Sequence, residues 1–121
     1  MMEKRRTNLV LEKAEAFALR IVKLYQFLQG KKELVMSKQI LRSGTSVGAN
    51  ITEGQYAASK PDFINKYAIA EKEAAETRYW LMLLVKSGYL KDDDVTRSLV
   101  SDCDEILSLL VASIKTAKER S

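Results

Sequence analysis

Apolar residues recur at steps of three and four along almost the whole chain, and only one proline, Pro61, interrupts them. That period belongs to the α-helix, where positions three and four apart share a face, and not to the strand, where every second residue does. Four such rows can be traced. The first takes Val10, Ala14, Phe17, Ile21, Leu24 and Leu28, widened by Leu11, Ala18 and Tyr25, with Thr7 or Asn8 placed to cap its start and Gly30 to end it. The second runs over about 33–58 and aligns Met36, Ile40, Val47 and Ile51. The third opens at Ser59-Lys60-Pro61-Asp62, where proline fits the first turn and the acid faces the positive end of the helix dipole. Its seam is Phe63, Tyr67, Ala70, Ala74, Thr77, Leu81 and Leu84, closed by Gly88. The fourth starts in Asp92-Asp93-Asp94 and carries Val95, Leu99, Cys103, Ile106, Leu110, Ile114 and Ala117. Four amphipathic segments joined by short turns predict an all-α fold, an antiparallel up-down-up-down four-helix bundle, with residues 1–121 forming a single domain.

Composition narrows the chemistry. A chain of 121 residues holds one core. There is one cysteine, Cys103, and no histidine, which excludes a disulfide framework, Cys/His zinc sites, and serine–histidine or cysteine–histidine catalysis. Cys103 reads as a small helix hydrophobe. No apolar run approaches the ~20 residues of a membrane span, and no apolar signal core follows the basic start MMEKRRTN. The expectation is a cytoplasmic protein with no membrane contact, no cofactor, no metal and no small-molecule substrate.

The stretch RSGTSVGANITEG, from Arg42 to Gly54, holds three of the five glycines. A phosphate-cradling loop needs a sharp turn before a helix and a lysine after the glycine, or a preceding strand. Here no lysine follows a glycine and the surrounding period is helical. As a helix, the stretch sorts into a polar stripe of Gln39, Arg42, Ser46, Asn50 and Glu53 beside the apolar one. Each interior glycine then costs ~1 kcal/mol relative to alanine. Close approach of a neighbouring helix offsets that cost, so Gly44, Gly48 and Gly54 are expected at helix contacts, the first two at small-xxx-small spacing.

Gln39, Arg42, Ser43, Gly44, Ser46, Val47, Gly48, Ala49, Asn50, Ile51, Glu53 and Gly54 together resemble the signature of the four-helix-bundle proteins encoded within 23S ribosomal RNA intervening sequences. Glu73, Ala74, Glu76, Thr77, Tyr79, Trp80 and Leu81 are similar to the third helix of that family. The resemblance covers roughly Leu11 to Leu90 and implies a four-helix subunit that assembles as a ring, a homopentamer, with no assigned reaction. A distant relative, the accessory protein of diversity-generating retroelements, forms a similar ring and partners a reverse transcriptase and nucleic acid.

Two surfaces are candidates for partners. On the third helix Ile69, Glu73, Glu76 and Trp80 form a line away from the Phe63–Leu84 seam. An exposed tryptophan and isoleucine there point to a subunit interface, with glutamates paired to Arg42, whose planar fork suits a carboxylate and for which Glu53, Glu71, Glu73 and Glu76 are the candidates. The carboxylates alone make a weak acid–base or metal site, because the di-metal pattern of bundles needs Glu-x-x-His. The second surface is one end of the bundle. The assumed topology gathers Lys4, Arg5, Arg6, Lys60, Lys66, Lys115, Lys118 and Arg120 there, against Glu3, Glu12, Asp62 and Glu119. Eight minus four equals the net charge of +4. Such an end could hold RNA or DNA backbone through phosphates, without sequence readout. The function classes left are a non-enzymatic oligomeric interaction protein and a nucleic-acid-binding accessory protein.

Overall fold

The computed structural model describes the backbone of residues 2–120 and the side chains of residues 8–120. Its elements are four helices: α1 (Met2–Gly30), α2 (Met36–Gln55), α3 (Lys60–Lys86) and α4 (Asp94–Glu119). Each packs on two neighbours in the cyclic order α1, α2, α3, α4. Contacting residues run in opposite directions at every seam. Ile21 lies against Gly44 and Ala14 against Gly48. Thr77 bonds Ser43 while Lys66 pairs with Glu53. Lys13 pairs with Glu105 and Arg20 with Asp102. At the last seam Glu71 flanks Ile114 while Met82 flanks Thr96. The bundle is therefore antiparallel throughout.

The inner rows are the core. All six first-row residues of α1 are buried, as are Ile40, Val47 and Ile51 of α2, Tyr67 to Leu84 of the α3 seam, and Leu99, Cys103, Ile106, Leu110 and Ala117 of α4. A fully buried Leu or Ile contributes roughly 1.5–3 kcal/mol, so this cluster dominates the stability. Two fourth-row expectations are corrected. Val95 is exposed, and its neighbour Thr96 points inward instead. Ser113 is the buried residue beside a half-buried Ile114, and its hydroxyl donates to the Leu109 carbonyl at 2.8 Å. A hydroxyl that bonds its own helix enters a core at little cost.

The helix ends also depart from expectation. α1 runs from Met2, straight through Thr7 and Asn8, so neither caps it. At its far end Gly30 is the last helical residue, but the chain reverses two residues later. Lys32 takes the left-handed conformation (φ 62°), with Lys32 N–H donating to Gln29 O and Glu33 N–H to Leu28 O. That is the position where helices usually place glycine. Lys32→Gly should therefore raise the unfolding free energy by about 1 kcal/mol, measured by urea denaturation.

α2 is shorter than the sequence predicts, because the chain before it is occupied in capping it. Glu33 is buried, at 6% exposure. Its Oε1 accepts from the N–H of Val35 (3.2 Å) and Met36 (3.0 Å), and its Oε2 from that of Ser37 (2.7 Å). Burial alone would raise the Glu33 carboxyl, but the N–H groups of Ser37, Met36 and Val35 hold it below its ordinary value. The other ends follow the sequence. Ser59 accepts from Asp62 N–H and Asp93 from Thr96 N–H as N-caps, and Gly88 closes α3 with φ 87°.

Candidate functional site

The Arg42–Gly54 segment is continuous helix. Two of its glycines are where they are because another side chain fills the space. A Cβ on Gly54 would lie 2.7 Å from the Tyr67 ring, and one on Gly44 2.9 Å from both γ carbons of Ile21. Gly48 differs: a Cβ there would rest 3.7 Å from that of Ala14, an ordinary contact. A Ser43–Thr77 hydrogen bond of 2.8 Å crosses the same buried α2–α3 seam, and Thr77 Oγ1 lies equally close to Glu73 O. The amides a phosphate loop would turn outward are spent inside this helix.

The polar stripe of α2 divides into local bonds and ties to α3. Asn50 donates to the Ser46 carbonyl and hydroxyl, one turn back on its own helix. Gln39 is exposed. Arg42 spans two carboxylates, with Nη1 at 2.9 Å from Glu73 Oε2 and Nη2 against Glu76 Oε2. Glu76 also accepts from the Trp80 indole N–H at 3.0 Å. The Trp80 bond and then the Arg42 guanidinium hold the Glu76 carboxyl below its ordinary range. Of the remaining candidates for Arg42, Glu53 pairs with Lys66 at 2.9 Å and Glu71 lies on the α4 side beside Ile114.

These partners lie within one chain, on adjacent helices, and this alters the expected α3 stripe. Trp80 is half-buried and packs on the core, and Ile69 is half-buried. Neither is fully exposed, so the exposed aromatic surface expected from the helical wheel is not there. Tyr79 is exposed instead, with its ring edge-on to Trp80 at 5.1 Å. Because the Arg42 side chain is half exposed, its ion pairs are screened. Arg42→Ala should cost about 1 kcal/mol in thermal unfolding and shift the Trp80 fluorescence.

The basic end is looser than the charge count implies. Lys60, Lys115, Lys118 and Arg120 are exposed there, but Lys66 is committed to Glu53. Lys115 and Lys118 share a shallow groove with Glu71 and Glu119. The side chains of Lys4, Arg5 and Arg6 lie outside the described residues.

Cys103 is buried, with its sulfur 3.2 Å from the Ala74 carbonyl. Burial, ahead of the adjoining Asp104 carboxylate, pushes its thiol up to about 12. It stays protonated at neutral pH and is not a nucleophile. Among the described residues no helix is long and apolar enough to cross a membrane.

One feature escaped the sequence reading. α1 has a second row at helical spacing on its outward side: Leu9, Glu12, Ala16, Leu19, Lys23 and Phe27, all exposed. Leu19 is 61% exposed, Phe27 49% and Leu9 42%. The signal was present in the same three-and-four period, displaced from the core row, and the two charges within it disguised it.

The pattern of the 23S rRNA-intervening sequence protein family matches residues 6–112. No curated protein matches the chain. A crystal structure of a protein of unknown function from the S23 ribosomal protein family of Bacteroides thetaiotaomicron is 53% identical to it. It superposes with a TM-score of 0.88, over 91% of this chain and 98% of that one. With four helices in antiparallel order and this match over most of its length, the chain belongs to the 23S rRNA-intervening sequence protein family.

Proposed function

We propose that this protein is a non-enzymatic interaction module that works by assembling with copies of itself, as a ring of five in the form its family resemblance implies. The observation that carries the reading is the outward row of α1. The inner rows already fill the core, yet Leu9, Leu19 and Phe27 remain exposed along one face of one helix. Large apolar side chains gathered on one face mark an association surface more often than scattered ones do. The reading moves the subunit contact from the Ile69–Trp80 line, whose groups are engaged within the chain, to α1. Sedimentation equilibrium tests it. Five copies of the 13.7 kDa chain weigh about 68 kDa. Another multiple keeps the self-association and removes the ring of five, and a 13.7 kDa particle at ~100 μM removes both.

A second reading, binding of RNA or DNA backbone, is favoured by the exposure of Lys60, Lys115 and Lys118 at one end. A ring would repeat that charge on a single face. Retention of mixed nucleic acid at ~50 mM salt and its loss at ~200 mM supports this reading, and no retention at the lower salt removes it.

A further inference from the structure

Tyr56 is the most exposed large apolar side chain among the described residues, at 85%. It stands in the turn between α2 and α3, which fixes its main chain and leaves its ring bare. Tyr56 N–H donates to Glu53 O and Ala57 N–H to Gly54 O, both at 3.1 Å, and Gly54 is itself seated against the Tyr67 ring. The residues that follow, Ala57, Ala58 and Ser59, are too small to cover a phenol. Among the described residues no second ring and no cation packs on Tyr56. A bare aromatic face on a fixed support is what base stacking uses.

The surroundings supply charge. The antiparallel order brings this turn to the end that carries Lys60, Lys115 and Lys118, all exposed. Lys60 lies four residues from Tyr56 and takes part in no ion pair among the described residues. The two acids that flank the turn are engaged: Glu53 pairs with Lys66 at 2.9 Å, and Asp62 Oδ2 accepts from Ala58 N–H at 3.4 Å. Ammonium groups suit phosphates of any nucleic acid, but the ring selects among them. In a duplex each base face is already covered by the next base pair. In a single strand a base can turn out and lie on the ring.

We infer that the α2–α3 turn binds single-stranded nucleic acid, with Tyr56 stacked on a base and Lys60 on an adjoining phosphate. The inference rests on the nucleic-acid reading above and adds which form is bound and the residue that selects it.

Titration of labelled oligothymidylate and of a mixed-sequence duplex, each about 20 nucleotides long, at ~50 mM salt and followed by anisotropy, tests it. Tyr56→Ala should weaken binding of the single strand about tenfold and leave the duplex within about twofold. Tyr56→Phe, which keeps the ring, should stay within about twofold on both. Lys60→Ala should weaken both by the same small factor, about twofold to threefold. Tyr56 lies outside the core, so the circular dichroism of its variants should match that of the natural chain. A Tyr56→Ala protein that holds the single strand as the natural one does, or that loses strand and duplex equally, overturns the stacking role and leaves phosphate binding standing. A natural chain that binds neither overturns both.

Discussion

Gly44→Val should lower the unfolding free energy by about 3 kcal/mol and the melting temperature by about 12 °C, while Gly48→Ala, four residues along the same helix, should raise stability by about 0.5–1 kcal/mol. The difference follows from what stands opposite each position. At Gly44 a Cβ meets both γ carbons of Ile21 at 2.9 Å and its Cβ at 3.3 Å. Ile21 is fully buried and β-branched, so these atoms are close to the α1 backbone and have no second rotamer to retreat to. The two helices have to separate, and valine adds two methyl groups to the clash. At Gly48 the Cβ has room, so alanine supplies the helix preference that glycine lacks without a steric penalty. Thermal and urea denaturation of the two variants compare the effects directly. A Gly44→Val protein as stable as the natural one would mean that α1 and α2 are not pressed together there.

Glu33→Ala should cost about 2 kcal/mol at neutral pH and flatten the acid side of the stability curve. The substitution leaves three N–H groups at the start of α2 without their acceptor, that of Ser37 buried and those of Val35 and Met36 partly so. The pH dependence has a definite sign. Because the folded carboxyl lies below its ordinary value of 4.5, its contribution is complete above that value and is lost as the pH falls below it. The natural protein should therefore lose stability between about pH 5 and 3 by more than the alanine variant does. Urea midpoints at pH 7 and 3 for both proteins measure the gap, and equal acid losses would show that Glu33 does not hold the helix end.

Glu33 also shows where a sequence stops being legible. A glutamate between Lys32 and Leu34 reads as a surface charge, and only the path of the turn carries it inward to the end of α2. Lys32 is hidden in the same way, since Gly30 is the nearer candidate for a helix stop. By contrast the four core rows could be read without coordinates, because a buried face forces its period on the sequence. Thr96 and Ser113 escaped that reading because their hydroxyls count as polar, although Ser113 bonds the Leu109 carbonyl of its own helix and Thr96 is held at the helix start by the Asp93 cap. The close α2–α3 seam was legible from Gly54, but its partner Tyr67 was not assigned to it. The Arg42 fork was legible as a carboxylate site, while the choice of Glu73 and Glu76 over Glu53 depended on the height at which α3 passes α2. Trp80 misled because its wheel position lies off the α3 seam, whereas in the fold it packs partly buried against the core and donates its indole N–H to Glu76.

The central claim is that residues Arg42–Gly54 form a rod clasped by α1 and α3 and leave no loop for an anion. Native-state hydrogen exchange across that segment tests it most directly. The account predicts that the amides of Ser43, Gly44, Val47, Gly48 and Ile51 exchange only with global unfolding, and that added nucleotide or phosphate leaves their rates unchanged. Exchange within seconds in the free protein, or protection that arises only when nucleotide is added, would contradict it.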